Sequence, residues 1–491
     1  MLKLDGSKIG LQTFWHAANS IQKLEIASAT ARKITVARET VDKLVQGDEP
    51  VYGLNTGLGA NLGYRLKPDE IPEFQMQILR GRAVACGEPL SEKVGRGALL
   101  ARIISAAQGF SGISQGMFQH LCHVYESGLA PVIPQYGSIG AGDLTQNAHM
   151  ALAVMGEGQF WKDGQQIDAQ TALFESCIRV PEIQPKDAMV LINHSGLSAA
   201  RSAIALHDAE TALNMMKSAT VLSFEGYGAN REVLAEELNT LRAASGQAEC
   251  AAWFREMLEG AEDSPRRIQE ALSFRTVASV FGAAEAAMKQ AVAVCEDELN
   301  GSSDSPVVLG KDQMLSTANF HSPALALALE NVCVANAMVA NGSVQRMQKM
   351  MNPDLSGLPR YLSPVGEGSA GMVPSQKTAG ALLSEIRHGA LPVAFDAAPV
   401  SDAVEDVAPM TSQAAAKLET QSKPMKLLAG LEALIACQAL DLRRPEKCGK
   451  LVQELWPEIR KTVPMLEEDR SLGNDIKMAA ASLERIAEER L

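Results

Sequence analysis

Aromatic residues make up only 4% of the 491-residue chain, which speaks against a sheet-rich core built on rings and branched side chains. The eight cysteines (Cys86, Cys122, Cys177, Cys250, Cys295, Cys333, Cys437 and Cys448) form no C-x-x-C pair. Nothing in their spacing suggests a metal site or a redox motif, and reduced thiols of a cytoplasmic protein are expected. Positive charge is also short: the formal net charge is −13, so there is no electrostatic case for nucleic acid or an anionic membrane as partner. The N-terminal MLKLDGSKIGLQ has no apolar run of a signal peptide. The most apolar internal stretch, ALALALENVCVANAMVANGS, is interrupted by Glu330, Asn331, Asn336 and Asn341, and is not expected to span a bilayer. No repeat, low-complexity tract or flexible linker interrupts the chain.

What is abundant is Ala, Leu, Met and Glu, the residues of helices. From about residue 196 onward, apolar residues recur at three- and four-residue spacing over segments longer than ordinary globular helices. The fold class expected is mostly α. A long central helix bundle and C-terminal helices over residues 196–491 follow a smaller helical and loop-rich N-terminal domain over residues 1–195. That N-terminal part carries loops rich in Gly, Pro and Asn, the places where an active site would be built on a rigid scaffold.

One such loop is YGSIGAGDLTQNAH, residues 136 to 149. Asp143 and Gln146 have capping-box spacing at the start of a helix that Gly156 would end. Gly137, Gly140 and Gly142 allow sharp turns and close approach to a ligand, and free N–H groups at the helix start could hold an anion. These residues, extended to PVIPQYGSIGAGDLTQNAHMALAVMGEG, resemble the G-S-x-G-A-S-G-D-L signature of the aromatic amino acid ammonia-lyases. Six more segments match that family in order: VYGLNTGLG, INHS, IQEALSFR, ANFHS, SGLPRYL and AVEDVAPM. The seven together span residues 50 to 410.

The resemblance implies a mostly helical homotetramer with active sites shared between subunits, and an electrophile made by cyclising an internal Ala-Ser-Gly. Here the chain departs from the family. Gly140-Ala141-Gly142-Asp143 has no serine between Ala141 and Gly142, and Ser138 lies outside the triplet, beside the β-branched Ile139. No methylidene-imidazolone is expected, and no other cofactor or metal. Leu272 stands where the family has a tyrosine that assists the electrophile, and His194 where it has a small glycine.

The remaining matches assign site residues. The resemblance implies Tyr52 as the base that removes the substrate's β-proton and Arg275 as the partner of its carboxylate. Asn193, Asn319, Phe320 and Glu405 lie in matching segments and keep the family's residues. Two cations are unexpected: Arg82 where histidine ammonia-lyases carry histidine, and Lys377 in a segment that lines the side-chain pocket. Losing the electrophile suits a substrate whose nitrogen is already a good leaving group. A quaternary ammonium departs as a neutral tertiary amine and has no lone pair with which to attack an electrophile. Ergothioneine, the trimethylbetaine of 2-thiohistidine, combines that group with a thioimidazole able to take up negative charge near Lys377 and Arg82. The expected protein is thus a carbon–nitrogen lyase of an ergothionase-like branch. A lyase acting on another betaine or aromatic amino acid, and an inactive homologue serving as a binding subunit, stay open as alternatives.

Overall fold

The computed structural model of the protein describes residues 1–47, 71–262, 267–310, 313–366, 368–394 and 399–489. The proposed base, Tyr52, lies outside the described residues. Helices dominate, as the composition dictates. Four of them are long: Gly196–Tyr227, Val277–Asn300, Pro323–Met350 and Thr411–Arg443. Each falls on a segment whose three- and four-residue periodicity predicts it. Their ends have local causes. Pro323 opens its helix, where the missing N–H costs nothing. Gly228, at φ 72°, turns the chain after Tyr227. The Arg443 guanidinium donates to the carbonyls of Gly226 and Tyr227 at 3.0 and 2.8 Å, satisfying groups the helix end leaves over.

The chain divides into two compact units. The first comprises Met1–His207, Val292–Leu329 and Pro392–Ala416, and the second Asp208–Ala291, Glu330–Leu391 and Lys417–Leu491. The first unit therefore contains all of residues 1–195 and adds two later segments, so the units interleave along the chain instead of meeting at one cut.

In the first unit, short strand pairs pin loops between helices. Cys86–Pro89 pairs antiparallel with Pro134–Tyr136. This pairing anchors the chain just after the Ile71–Arg82 helix to the chain just before Gly137. In the second unit the scarce aromatics are concentrated in one core. Phe274 meets Phe224 edge-on at 5.5 Å and stacks on Tyr227 at 4.5 Å, while Phe254 lies 5.8 Å from Phe281. Three long helices also meet there through polar groups. The buried Arg346 guanidinium donates to both oxygens of buried Glu432, at 2.6 and 3.1 Å, and to Thr220 at 2.8 Å. Ser223 donates to the same carboxylate at 2.7 Å.

Among the described residues two helices, Val277–Asn300 and Pro323–Met350, are long and apolar enough to cross a membrane by length and composition alone. Within their most apolar windows 44% and 61% of the residues are buried inside the protein. The Pro323–Met350 helix carries buried Arg346 and exposed Asn331, Asn341 and Gln345, which suits a packed bundle in water. All eight cysteines are free thiols. Burial pushes those of Cys122, Cys250, Cys333 and Cys437 up to about 12, which makes them unreactive packing residues.

Candidate active site

The glycine-rich loop closes on itself through Asp143. This residue adopts a left-handed backbone, φ 49°, and is buried. Its carboxylate accepts from the Ser138 hydroxyl, from the Ser198 hydroxyl at 2.7 Å and from the Ser198 N–H at 2.8 Å. Burial pushes its pKa up, against those three hydrogen bonds. The expected capping box does not form. Asp143 sits at the N-cap of the Leu144–Val154 helix without capping it, and the Gln146 side chain donates to Pro134 O at 2.7 Å. The left-handed turn at Asp143 commits its carboxylate to the loop, so the serine spacing on either side matters more than the cap spacing.

Every turn of the loop is tied down. Gly140 N–H donates to the Ser138 hydroxyl at 2.9 Å, and Gln413 holds Ser138 O at 2.5 Å. Met410 N–H holds Ile139 O at 2.9 Å, while Gly142 N–H reaches Phe320 O at 3.3 Å. Asn147 gathers the carbonyls of Gly142, Ile192 and His194 at 3.2, 3.0 and 2.9 Å, fastening the loop to the INHS segment.

Beside this loop lies a cavity of about 560 Å³, built wholly from the first unit. Ser138, Ile139, Ala141 and Asp143 form one wall, and Asn193 and Met189 another. The size suits a small-molecule ligand. Arg82 lines it from the last residue of its helix, where a cation is favoured by the helix dipole. Glu405 lines it from a tight turn closed by Val400–Glu405 backbone bonds of 3.0 and 3.3 Å. Ser401 donates to the Glu405 carboxylate at 2.8 Å. Ser401, Asp402 and Ala403 are all left-handed, with φ of 55°, 55° and 63°. The turn thus holds strain of about 1–2 kcal/mol per residue while presenting a carboxylate to the cavity. Cation and carboxylate on one mostly apolar cavity match a zwitterionic ligand.

Position 142 is closed to any side chain. It has φ 84°, and a Cβ added there would come within 2.6 Å of the Asn193 carboxamide oxygen. The residues present do not fit a cyclised Ala-Ser-Gly, because no serine stands between Ala141 and Gly142.

The other expected site residues fall in different places. His194 does not present a nitrogen to the cavity. It is fully buried, with Nδ1 accepting from Gly196 N–H at 3.0 Å and Nε2 facing Leu191 O at 3.1 Å. Burial, then the nearby Arg102, push its pKa down to about 3, so it is a neutral packing residue behind Asn193. Asn319 is exposed and donates to Ser302 O at 3.3 Å, and Phe320 is half-buried beside Gly142. Arg275 and Lys377 belong to the second unit and are exposed there. Lys377 lies in the first turn of the Ser375–His388 helix, an end where the helix dipole disfavours a cation, so helix stability does not explain it.

Several supporting residues carry no motif of their own. Ser198 and Ser401 act through partners distant or irregular in sequence. Arg102 and Asp304, a buried two-pronged pair at 3.1 and 3.0 Å, lie 202 residues apart. Burial opposes the Asp304 charge, but Arg102 and Lys186 prevail and hold its carboxyl below the ordinary range.

Comparison with known proteins places this geometry. The profile of a family described as aromatic amino acid lyase matches residues 9–461. The chain is 31% identical to the histidine ammonia-lyase of Stigmatella aurantiaca over 490 residues, covering 98% of this chain and 96% of that one. It is 32% identical to that of Deinococcus radiodurans, covering 98% and 94%. Among solved structures, the ergothionase of Treponema denticola, in complex with desmethyl-ergothioneine sulfonic acid, superposes with a TM-score of 0.94. The two share 27% identity, and the match covers 99% of both chains. The histidine ammonia-lyase of Trypanosoma cruzi gives 0.92 at 28% identity, covering 99% of this chain and 94% of that one.

Proposed function

The chain belongs to the aromatic amino acid lyase family, and on that premise we propose that it releases trimethylamine from ergothioneine, giving thiourocanate, without a methylidene-imidazolone. The observation that carries this reading is the loop at Gly142. It is fastened through Asp143, Ser198 and Asn147 and has no serine between Ala141 and Gly142. Such a loop suits a substrate that needs no covalent activation of its leaving group.

The electron balance is simple. A base, Tyr52, takes the β-proton, and the C–H pair becomes the Cα=Cβ bond. The Cα–N bond breaks with its pair on nitrogen, which leaves as neutral trimethylamine. The demanding part is the transient charge at Cβ. A thioimidazole conjugated to Cβ spreads that charge to sulfur, where a cation lowers the barrier. Lys377 and Arg82 are assigned that task, Glu405 a ring N–H and Arg275 the carboxylate. Asn193, Asn319 and Phe320 complete the walls. Tyr52 needs a lowered pKa to serve as base near neutral pH, which neighbouring cations would supply.

We further assign the protein a homotetrameric, cytoplasmic state. The exposed apolar side chains of Leu272, Leu327, Val334 and Met338 support an assembly in which they are covered. The histidine ammonia-lyase relatives favour a second reading, ammonia release from histidine. Incubating the purified protein with ergothioneine and with histidine separates the two: trimethylamine from the first is expected, and ammonia from the second alone overturns the proposal. Intact mass gives an independent check, because a formed methylidene-imidazolone removes two waters from the encoded mass.

A further inference from the structure

We propose that Ser401 is the positioning residue of the cavity's carboxylate: its hydroxyl occupies one oxygen of Glu405, so that the other is left to receive a single ring N–H of the substrate. This rests on the betaine-lyase reading above, in which Glu405 meets the ring. The Ser401 hydroxyl donates to Glu405 Oε1 at 2.8 Å, and no other described residue bonds the Glu405 side chain. Both residues line the cavity. The turn makes their contact possible. Ser401, Asp402 and Ala403 are left-handed. Val404 N–H donates to Ser401 O at 3.1 Å, and Val400 and Glu405 exchange backbone bonds. The chain doubles back between Val400 and Glu405 and sets the two side chains together.

A serine hydroxyl has one hydrogen, and here the carboxylate holds it. In the free protein the bond matters little, because Ser401 is exposed and Glu405 half-buried, and water can take the serine's place. A ligand that fills the cavity removes that water. Each carboxylate oxygen then needs a donor, since a desolvated acceptor left without one is costly. Ser401 serves Oε1, and a ring N–H serves Oε2. A thioimidazole in its thione form carries N–H on both ring nitrogens, so it always has one to offer.

The serine also orders a side chain with three rotatable bonds before the substrate arrives, which removes part of the cost of binding. It touches no reacting atom. The ring N–H contact is made before the C–H bond breaks and persists while charge moves to sulfur. An interaction present in both states lowers KM more than it raises kcat. Ser401 accordingly acts on binding more than on turnover, and only through Glu405.

The test titrates 3-(2-thioimidazolyl)propanoate, which has the ring and the carboxylate but no ammonium to lose, into wild type, Ser401→Ala, Glu405→Met and the double variant by calorimetry. KM and kcat for ergothioneine are read alongside from trimethylamine release. Ser401→Ala is expected to weaken the propanoate roughly tenfold and to raise KM for ergothioneine by a similar factor, with kcat changed less and the urea midpoint unchanged. In the Glu405→Met background the same serine change is expected to have no further effect, because the carboxylate it acts through is gone. No effect in wild type, an undiminished effect in Glu405→Met, or a loss of stability alongside the loss of affinity overturns the assignment. Ser401→Gly removes the hydroxyl while easing the left-handed turn, and keeps the test decisive if Ser401→Ala fails to fold: propanoate binding as tight as wild type in that variant overturns the assignment too. Wild type that binds the propanoate but releases no trimethylamine from ergothioneine sinks the parent reading instead, so the two failures are distinct.

Discussion

Lys377 and Tyr52 are the side chains on which the proposed chemistry turns, and they fail differently when changed. Removing a base that acts on a weakly acidic C–H bond should cost on the order of 10² to 10⁴ in kcat. Tyr52→Phe is expected to do so while isothermal titration still shows ergothioneine bound. Lys377→Met should lower kcat by roughly 10² to 10³, the range for losing one group that stabilises developing charge. If that variant turns over ergothioneine at the wild-type rate, the cation near sulfur is wrongly assigned. His194 belongs to stability. Its folded pKa of about 3 lies below the ordinary histidine value, so the unfolded chain binds the extra proton first. The stabilisation is present above about pH 6.5 and is lost as pH falls toward 3, by at most about 1.4 kcal/mol per pH unit. Urea midpoints measured from pH 6.5 to 4 should fall less steeply for His194→Gln than for wild type.

At the scale of elements, the helices were legible and the loop's fastening was not. Periodicity over Ser195 to Tyr227 or Ser322 to Met351 is a local property, written along one segment, and the observed helices follow it closely. The bonds of Asp143 depend on Ser138 and on Ser198, 55 residues away, and on a left-handed turn that no spacing rule announces. The same sequence therefore predicted a cap and produced a latch. Position 142 shows the converse: the missing serine was plain in the sequence, while the contact with Asn193 that closes the space is tertiary. Between helices the Arg346–Glu432 pair is equally invisible, its members 86 residues apart with no motif. Cutting one partner leaves a buried charge alone, which costs about 3–5 kcal/mol. Arg346→Met should lower the unfolding free energy from urea titration by that amount, and the double variant Arg346→Met with Glu432→Leu should recover much of it. A surface-like loss below about 1 kcal/mol would show that the pair is solvated in solution.

For the whole molecule, the decisive question is whether one chain suffices. Leu327, Val334 and Met338 are 63%, 46% and 56% exposed, at intervals of seven and four residues on one face of the Pro323–Met350 helix. A row of that spacing is the seam along which long helices pack against partners. Leu272, 66% exposed, adds to the uncovered apolar surface three residues before Arg275. If the proposed tetramer forms along this seam, placing a charge in it by Met338→Glu should break the assembly, read as a fall in mass by light scattering, and should abolish trimethylamine release even though Met338 is assigned no contact with substrate. Shared sites make a sharper demand. Tyr52→Phe and Arg275→Ala are each expected to be inactive alone. Coexpressed, they should regain on the order of a quarter of wild-type activity, because random assembly supplies an intact Tyr52 and an intact Arg275 from different subunits in that fraction of sites. If each site drew both residues from one chain, every mixed site would keep one defect. Coexpression would then restore nothing, and the tetramer would be a scaffold around four independent enzymes.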